Sequence, residues 1–291
     1  MPLDKQSSCK VNLLLNILGR RPDGFHELET VLHPLDLHDC LSFERHGTRL
    51  RLKCNDPLLP TNAKNLVYAA AERFLKTAGI NEGVRIHLEK TIPVAAGLGG
   101  GSGNAAATLL AMNELFGQPL RPEQLLQLAA LLGSDIPFFL QGRPALATGR
   151  GEVITPLDFF PGLAGAWMLL VHPGFGISTS WAYEQLARHP EALNGKPGRA
   201  QRLISLLQTT ALSAAGKEFY NSLESPALLK YPLLQLFQEF FREEGAAATL
   251  MSGSGSATYA LADSRAGAET LLEKFQIKFG PQFWTALVKL P

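Results

Sequence analysis

Apolar and polar positions alternate along much of the first half of the chain and recur at helical spacing in the second. Residues 10–16, KVNLLLN, read as a buried strand, and Pro22-Asp23-Gly24 marks a turn. Segments 29–37, 39–45 and 48–53 read as strands of a meander, and Val84, Ile86 and Leu88 line one side of a further strand. Between them, NLVYAAAERFLKTAG predicts a helix with Leu66, Ala69, Ala70 and Phe74 on one face and Gly79 as its C-cap. Residues 104–117 and 121–133 predict two more helices, and Ser134-Asp135 is a natural N-cap pair before IPFF. A strand and a turn follow over 144–157.

The segment TPLDFFPGLAG, 155–165, reads as a domain junction and divides the chain into 1–158 and 159–291. Beyond it, AWMLLVHP predicts a buried strand, followed by helices near 178–188, 199–214 and 227–243. Strands at 247–251 and 257–262, a helix near 264–276 and a strand near 281–289 end the chain. The fold class is α+β in two domains.

A chain of 291 residues with 46% hydrophobic and 18% charged residues has ample core for this. The formal net charge of +1 argues against a surface built for nucleic acid. No run approaches the ~20 apolar residues of a membrane span. Three cysteines, Cys9, Cys40 and Cys54, have no metal-ligand spacing, and the odd count without a signal peptide suits a reducing, cytoplasmic compartment. The expectation is a protein with neither nucleic-acid nor membrane partners, a monomer or a homodimer.

The chemistry concentrates in PVAAGLGGGSGNAA, 93–106, which has glycine at 97, 99, 100, 101 and 103. Three readings compete. A P-loop needs a lysine after its last glycine, and none follows here. GSGNAA, 101–106, matches a dinucleotide fingerprint literally, with Glu123 at about the right distance but at a helix start. The third reading is a phosphate cradle: backbone N–H groups, the positive end of the helix that follows, and no acidic residue in the stretch. A flexible linker or tight helix packing is the structural alternative.

The same stretch resembles the P-x-x-x-G-L-G-S/G-S/G-S-x-x-A-A signature of the GHMP kinase superfamily of small-molecule kinases. Three further pieces agree in order: CKVNLLLNILGRRPDGFHEL at 9–28, LGSDIPFFL at 132–140 and LMSGSGSATYAL at 250–261. The resemblance covers nearly the whole length. It implies an N-terminal domain like ribosomal protein S5 domain 2 and a ferredoxin-like C-terminal domain. The DGFH and LGSDIPFFL elements narrow it to a kinase of non-mevalonate isoprenoid precursor biosynthesis, whose acceptor is an alcohol bearing a cytidine diphosphate group.

The resemblance also implies roles. Asp135 is the catalytic aspartate and Lys10 its partner lysine. ATP, with Mg2+, is met by Lys64, Asn65, Pro93, Gly97, Leu98, Gly99, Gly100, Gly101, Ser102, Gly103 and Asn104, with Ser102 the candidate contact to the metal. The acceptor is met by Asn12, Phe25, His26, Thr179, Tyr183, Gly253, Ser254 and Gly255, with Tyr183 stacking on the cytosine. Gly103 stands where the family often has serine, and Phe25 where it often has tyrosine. Cys9, beside Lys10, raises the prospect of thiol sensitivity. Other readings stay open here: a superfamily kinase for homoserine or a mevalonate-like alcohol, a nicotinamide-dependent oxidoreductase, or a non-catalytic nucleotide sensor.

Overall fold

The computed structural model describes residues 2–209 and 212–291. In chain order its elements are β1 (Leu3–Arg20), β2 (His26–Arg45), β3 (Arg51–Cys54), α1 (Leu66–Ala78), β4 (Val84–Glu89), α2 (Gly100–Leu115), α3 (Pro122–Leu132) and α4 (Ile136–Phe139). Then come β5 (Ala145–Gly149), β6 (Val153–Pro156), β7 (Trp167–His172), α5 (Thr179–Gln185), α6 (Pro190–Leu193), α7 (Arg199–Thr209) and α8 (Leu212–Ala215). The chain closes with β8 (Tyr220–Asn221), α9 (Glu224–Lys230), α10 (Pro232–Glu243), β9 (Ala248–Met251), β10 (Thr258–Ala262), α11 (Arg265–Phe279) and β11 (Trp284–Lys289). No helix among the described residues is long and apolar enough to cross a membrane. Two compact units form, one from the chain up to Cys9 with Leu37–Val94 and Gly99–Gly142, the other from Lys10–Asp36, Ala95–Leu98 and Arg143–Pro291.

In the first unit, β4 pairs antiparallel with Cys40–Arg45 of β2 and parallel with β3. The expected meander therefore does not form. Two neighbouring parallel strands need a crossover, and α1 supplies it between β3 and β4. Asn65 caps α1 and Gly79 ends it in the left-handed conformation at φ 66°. The buried face of α1 is Val67, Ala70, Ala71 and Phe74; Leu66 and Ala69 are only half-buried, so the face is turned slightly from the one expected. Phe43, Ile86, Phe74, Leu109 and Met112 pack together in this unit's core. Helix α2 begins at Gly100 and so takes in the later glycines of the loop. It is followed by α3 and not by a strand, so GSGNAA lacks the βαβ unit that a dinucleotide fingerprint requires.

The segments expected as two strands at 29–37 and 39–45 are one 20-residue strand through Pro34. Strand β2 pairs with β5 over Leu28–Leu32 and with β4 over Cys40–Arg45, so the missing N–H of Pro34 falls between the two partners.

In the second unit, a four-stranded antiparallel sheet has the order β11-β7-β10-β9. In chain order these are the fourth, first, third and second strands of a β-α-β-β-α-β arrangement, which is ferredoxin-like. Phe237, Phe240 and Phe241 of α10 pack with Phe275 of α11 against Leu169 and Val171 of β7. The helix expected over 227–243 is two, because Pro232 cannot continue α9 and instead opens α10. Of the span 199–214, α7 and α8 are seen, and residues 210 and 211 lie outside the described residues. Strand β8 pairs parallel with β1 at Leu14 and Leu15.

Candidate active site

In the second unit, Lys10 is buried on β1, and its ammonium donates to Asn12 Oδ1 at 2.6 Å and to the carbonyl of Gly97 at 3.1 Å. Asn12 is held in turn, its amide donating to Thr30 Oγ1 at 2.8 Å. The hydroxyl of the fully buried Tyr259 donates to Asn12 O at 3.0 Å. The Lys10 N–H also donates to Leu98 O at 2.9 Å, which ties the start of the glycine loop to β1.

The loop closes on the turn between β9 and β10. Ser252 Oγ donates to Gly97 O at 3.0 Å. Gly97 has φ 79°, and a Cβ there would lie 2.0 Å from Ser252 O, so only glycine fits. A Cβ on Gly253 would lie 3.1 Å from Gly97 O and 3.4 Å from Lys10 Nζ. Gly255 packs on Met251 and Ile177. Ser254 Oγ and Thr179 Oγ1 are hydrogen-bonded at 2.9 Å. The turn's carbonyls are fastened from behind: Asn221 Nδ2 donates to both Met251 O and Gly253 O at 2.7 Å. Asn221 Oδ1 accepts from Leu223 N at 2.9 Å, so both ends of its amide are engaged.

His26 and Tyr183 lie ring to ring in this unit, with centroids 5.1 Å apart and planes tilted by 37°. Burial, with the nearby charge of Arg20 second, lowers the His26 pKa, so the imidazole is neutral at pH 7. Phe25 is 54% exposed, and the Arg150 guanidinium lies 4.6 Å from its ring centre.

In the first unit, Gly99 takes a left-handed φ of 67° at the N-cap of α2, with no side chain capping the helix. The N–H groups of Gly100, Gly101 and Ser102 precede the first intrahelical hydrogen bond, Gly103 N to Gly99 O at 2.9 Å. No acidic residue lies in this first turn. Gly101 is exposed and Ser102 half-buried. These are the features of an anion site: unpaired donors at the positive end of a 16-residue helix.

Asn104 faces inward. Its amide donates to Ser7 Oγ and to Asp39 Oδ2, each at 2.9 Å. Asp39 is fully buried, pairs with Lys90, and accepts from Thr91 N at 2.7 Å and Ile92 N at 2.9 Å. This buried network holds the segment leading to Pro93 against the first turn of α2. Gly100 leaves room for Lys90, since a Cβ there would be 3.2 Å from its ammonium. Gly103 sits against β1, where a Cβ would lie 2.4 Å from Ser8 O. Cys9 is wholly buried, which shields its thiol from oxidants.

Asn65 caps α1, accepting from Val67 N at 3.0 Å and donating to Pro60 O at 2.9 Å, and Lys64 beside it is exposed. Asp135 occupies the N-cap position of α4, but its carboxylate makes no capping hydrogen bond.

Sequence reasoning missed Asp39, Lys90 and Asn221. A signal existed for two of them. Asp39 continues the inward positions of Leu41 and Phe43 on β2, and Lys90 those of Ile86 and Leu88 past the end of β4. A charge at the next inward position calls for a buried partner. Nothing in the text around Asn221 marks it.

Comparison with known proteins agrees with this fold. Residues 65–143 match the model of the GHMP kinases N terminal domain, and residues 203–281 that of the GHMP kinases C terminal domain. The chain is 36% identical to a 4-diphosphocytidyl-2-C-methyl-D-erythritol kinase of Alkaliphilus metalliredigens, over 94% of this chain and 92% of that one. It is 41% identical to the enzyme of the same name from Gloeobacter violaceus, over 91% and 87% of the two chains. A crystal structure of 4-(cytidine 5'-diphospho)-2C-methyl-D-erythritol kinase superposes with a TM-score of 0.79 at 34% identity, covering 99% of this chain and 100% of that one. A homoserine kinase from Cytophaga hutchinsonii shares the fold, with a TM-score of 0.76 at 20% identity over 99% and 96% of the two chains. Matched to both kinase domain models in order, and to curated relatives along almost its whole length, the chain belongs to the GHMP kinases, in the family of the 4-diphosphocytidyl-2-C-methyl-D-erythritol kinases.

Proposed function

We propose that this chain transfers the γ-phosphoryl group of ATP to the 2-hydroxyl of 4-diphosphocytidyl-2-C-methyl-D-erythritol, giving the 2-phosphate and ADP in non-mevalonate isoprenoid precursor biosynthesis. The observation that carries this reading is the buried Lys10 ammonium, fixed between Asn12 Oδ1 and the carbonyl of Gly97. It joins an acceptor-side strand to the first glycine of the phosphate loop.

Phosphoryl transfer needs positioning and charge stabilisation more than covalent help from the protein. In this reading the first-turn N–H groups of α2 bind the triphosphate. Lys10 stabilises negative charge on the attacking and phosphoryl oxygens. Asp135 orients the hydroxyl and takes its proton as the P–O bond forms. Asn12, Thr179 and the Gly253–Gly255 turn contact the acceptor, while Phe25, His26 and Tyr183 receive the cytosine. Lys64 and Asn65 border the adenine. Residues 1–158 then serve as the ATP-binding domain and 159–291 as the C-terminal kinase domain.

Mg2+ brought by the nucleotide would supply neutralisation of the phosphate charge. The Ser102 hydroxyl suits it: half-buried beside exposed Gly101, it makes no hydrogen bond among the described residues. No group of three or more His, Cys, Asp or Glu that could hold a metal occurs among the described residues, so the phosphates would furnish most of its ligands. None of the three cysteines forms a disulfide, in keeping with a cytoplasmic location. Monomer or homodimer is the expected assembly.

The test is turnover with Mg-ATP on three acceptors: the cytidine diphosphate alcohol, homoserine and mevalonate. Phosphorylation of the first alone is expected, and cytidine diphosphate should raise the melting temperature. Turnover on homoserine or mevalonate, with none on the cytidine compound, would overturn the assignment.

A further inference from the structure

A hollow of about 430 Å3 opens in the second unit, between the residues that lead into α7 and those that lead into β8. Four cationic side chains line it, Lys196, Arg199, Arg202 and Lys217, with Glu218 as the one carboxylate. Arg202 is paired with Glu218 at 2.8 Å. The Arg199 guanidinium lies 3.9 Å from the ring centre of Tyr220. Lys196 and Lys217 are exposed and make no ion pair among the described residues. Three positive charges are thus left over in one concavity, although the whole chain carries only +1.

The backbone of this hollow is fixed independently of any ligand. Asn16 Nδ2 donates to Lys196 O at 2.7 Å, and Gly195 N donates to Ile17 O at 2.7 Å. The Glu29 carboxylate accepts from Gly198 N at 3.2 Å and Ala200 N at 3.1 Å, which fixes the entry to α7. What remains unmatched is the set of side-chain cations. Cations gathered in a concave site focus their field on whatever enters it. The volume exceeds that of a simple ion and falls in the range of small-molecule sites. An arginine held over a ring offers its planar fork of donors to phosphate oxygens.

We propose that this hollow is a second anion site, which binds a small molecule bearing a phosphate or diphosphate group. None of its residues belongs to the set assigned to ATP or to the acceptor.

The test is calorimetric titration of the full chain with inorganic pyrophosphate, after the nucleotide and acceptor sites are filled with a non-hydrolysable ATP analogue and cytidine diphosphate. One further saturable site is expected, weakened about tenfold or more in the double variant Lys196→Glu, Lys217→Glu. Both side chains are exposed, so the variant should fold, with a melting temperature and ligand-free turnover like those of the wild type. A parallel titration with an alkyl diphosphate separates the sources: tighter binding than pyrophosphate marks an organic diphosphate, and equal binding marks the free anion. No heat up to about 10 mM pyrophosphate, or the same affinity in the double variant, would overturn the proposal.

Discussion

Lys10 and Asn12 stand two residues apart on one strand, and the ammonium of the first donates to the side-chain carbonyl of the second at 2.6 Å. The amide of Asn12 is anchored on Thr30 at 2.8 Å, so the orientation of the lysine is inherited from β2 through one asparagine. Lys10→Met keeps the stem and removes the charge, and turnover should fall by about 10²–10³ while ATP affinity stays near its wild-type value. Asn12→Ala should cause a smaller loss of the same kind. Steady-state rates beside calorimetric ATP binding check both, and a Lys10→Met enzyme with wild-type turnover would remove the role given to this residue.

Asp135 sits where a helix cap belongs and does not cap. Asp135→Asn therefore removes no helix cap, a loss that costs about 1 kcal/mol where a cap works. Turnover should fall by about 10²–10⁴. Urea melts and a rate measurement on the same preparation decide between a catalytic carboxylate and a structural one.

At Gly103 the common serine of the family does not fit. A Cβ there would approach Ser8 O to 2.4 Å and Ser7 Oγ to 3.0 Å, and the first of these is backbone that cannot swing away. Gly103→Ser should cost about 1–3 kcal/mol, read as a lower denaturation midpoint. An unchanged midpoint would mean that β1 yields more easily than its packing suggests.

The Lys90 side chain is 7% exposed and that of Asp39 0%. Asp39→Ala strands a buried ammonium and leaves the N–H groups of Thr91 and Ile92 without their acceptor, at a cost of about 3–5 kcal/mol. Replacing both charges, as Asp39→Leu with Lys90→Met, should recover part of that loss. Equal destabilisation in the single and double variants would show that the backbone contacts, and not the stranded charge, dominate.

Glu224 and His33 move stability in opposite directions with pH. Burial raises the Glu224 carboxyl from 4.5 to about 7, so its contribution is full below about 4.5 and is lost as pH rises through about 7. Burial lowers His33 from 6.5 to about 4, so its contribution is full above about 6.5 and is lost as pH falls through about 4. Glu224→Gln can still accept from Met251 N and Gln238, and it carries no charge. The variant should melt higher than wild type at about pH 8 and converge with it near about pH 5. Calorimetric melts at the two pH values test this, and an equal difference at both would exclude the titration of Glu224 as its cause.

The parts of this molecule that depend on local rules could be read from its text. Gly79 ends a helix and the glycines from 97 to 103 open one, because both uses follow from backbone freedom within a few residues. Strand partners could not be read. Alternation shows a strand near residues 48–53, but not that its neighbour is β4, beyond an intervening helix. The same holds for the site. Lys10 and Asp135 carry motif signals, whereas Asp39 finds Lys90 across 51 positions and Asn221 finds Gly253 across 32. No short pattern encodes such pairings; they exist only once the sheet has formed.

The side-chain nitrogen of Asn221 fastens both the carbonyl of Met251 and that of Gly253. A turn held that way meets its ordering cost during folding, so a ligand that reaches it gives up only its own freedom. The counterpart is intolerance. In the role proposed for this turn, a loop that cannot reshape itself would reject a misfitting alcohol instead of adapting to it, and selectivity among acceptors would reside in stiffness as much as in the groups that touch the substrate.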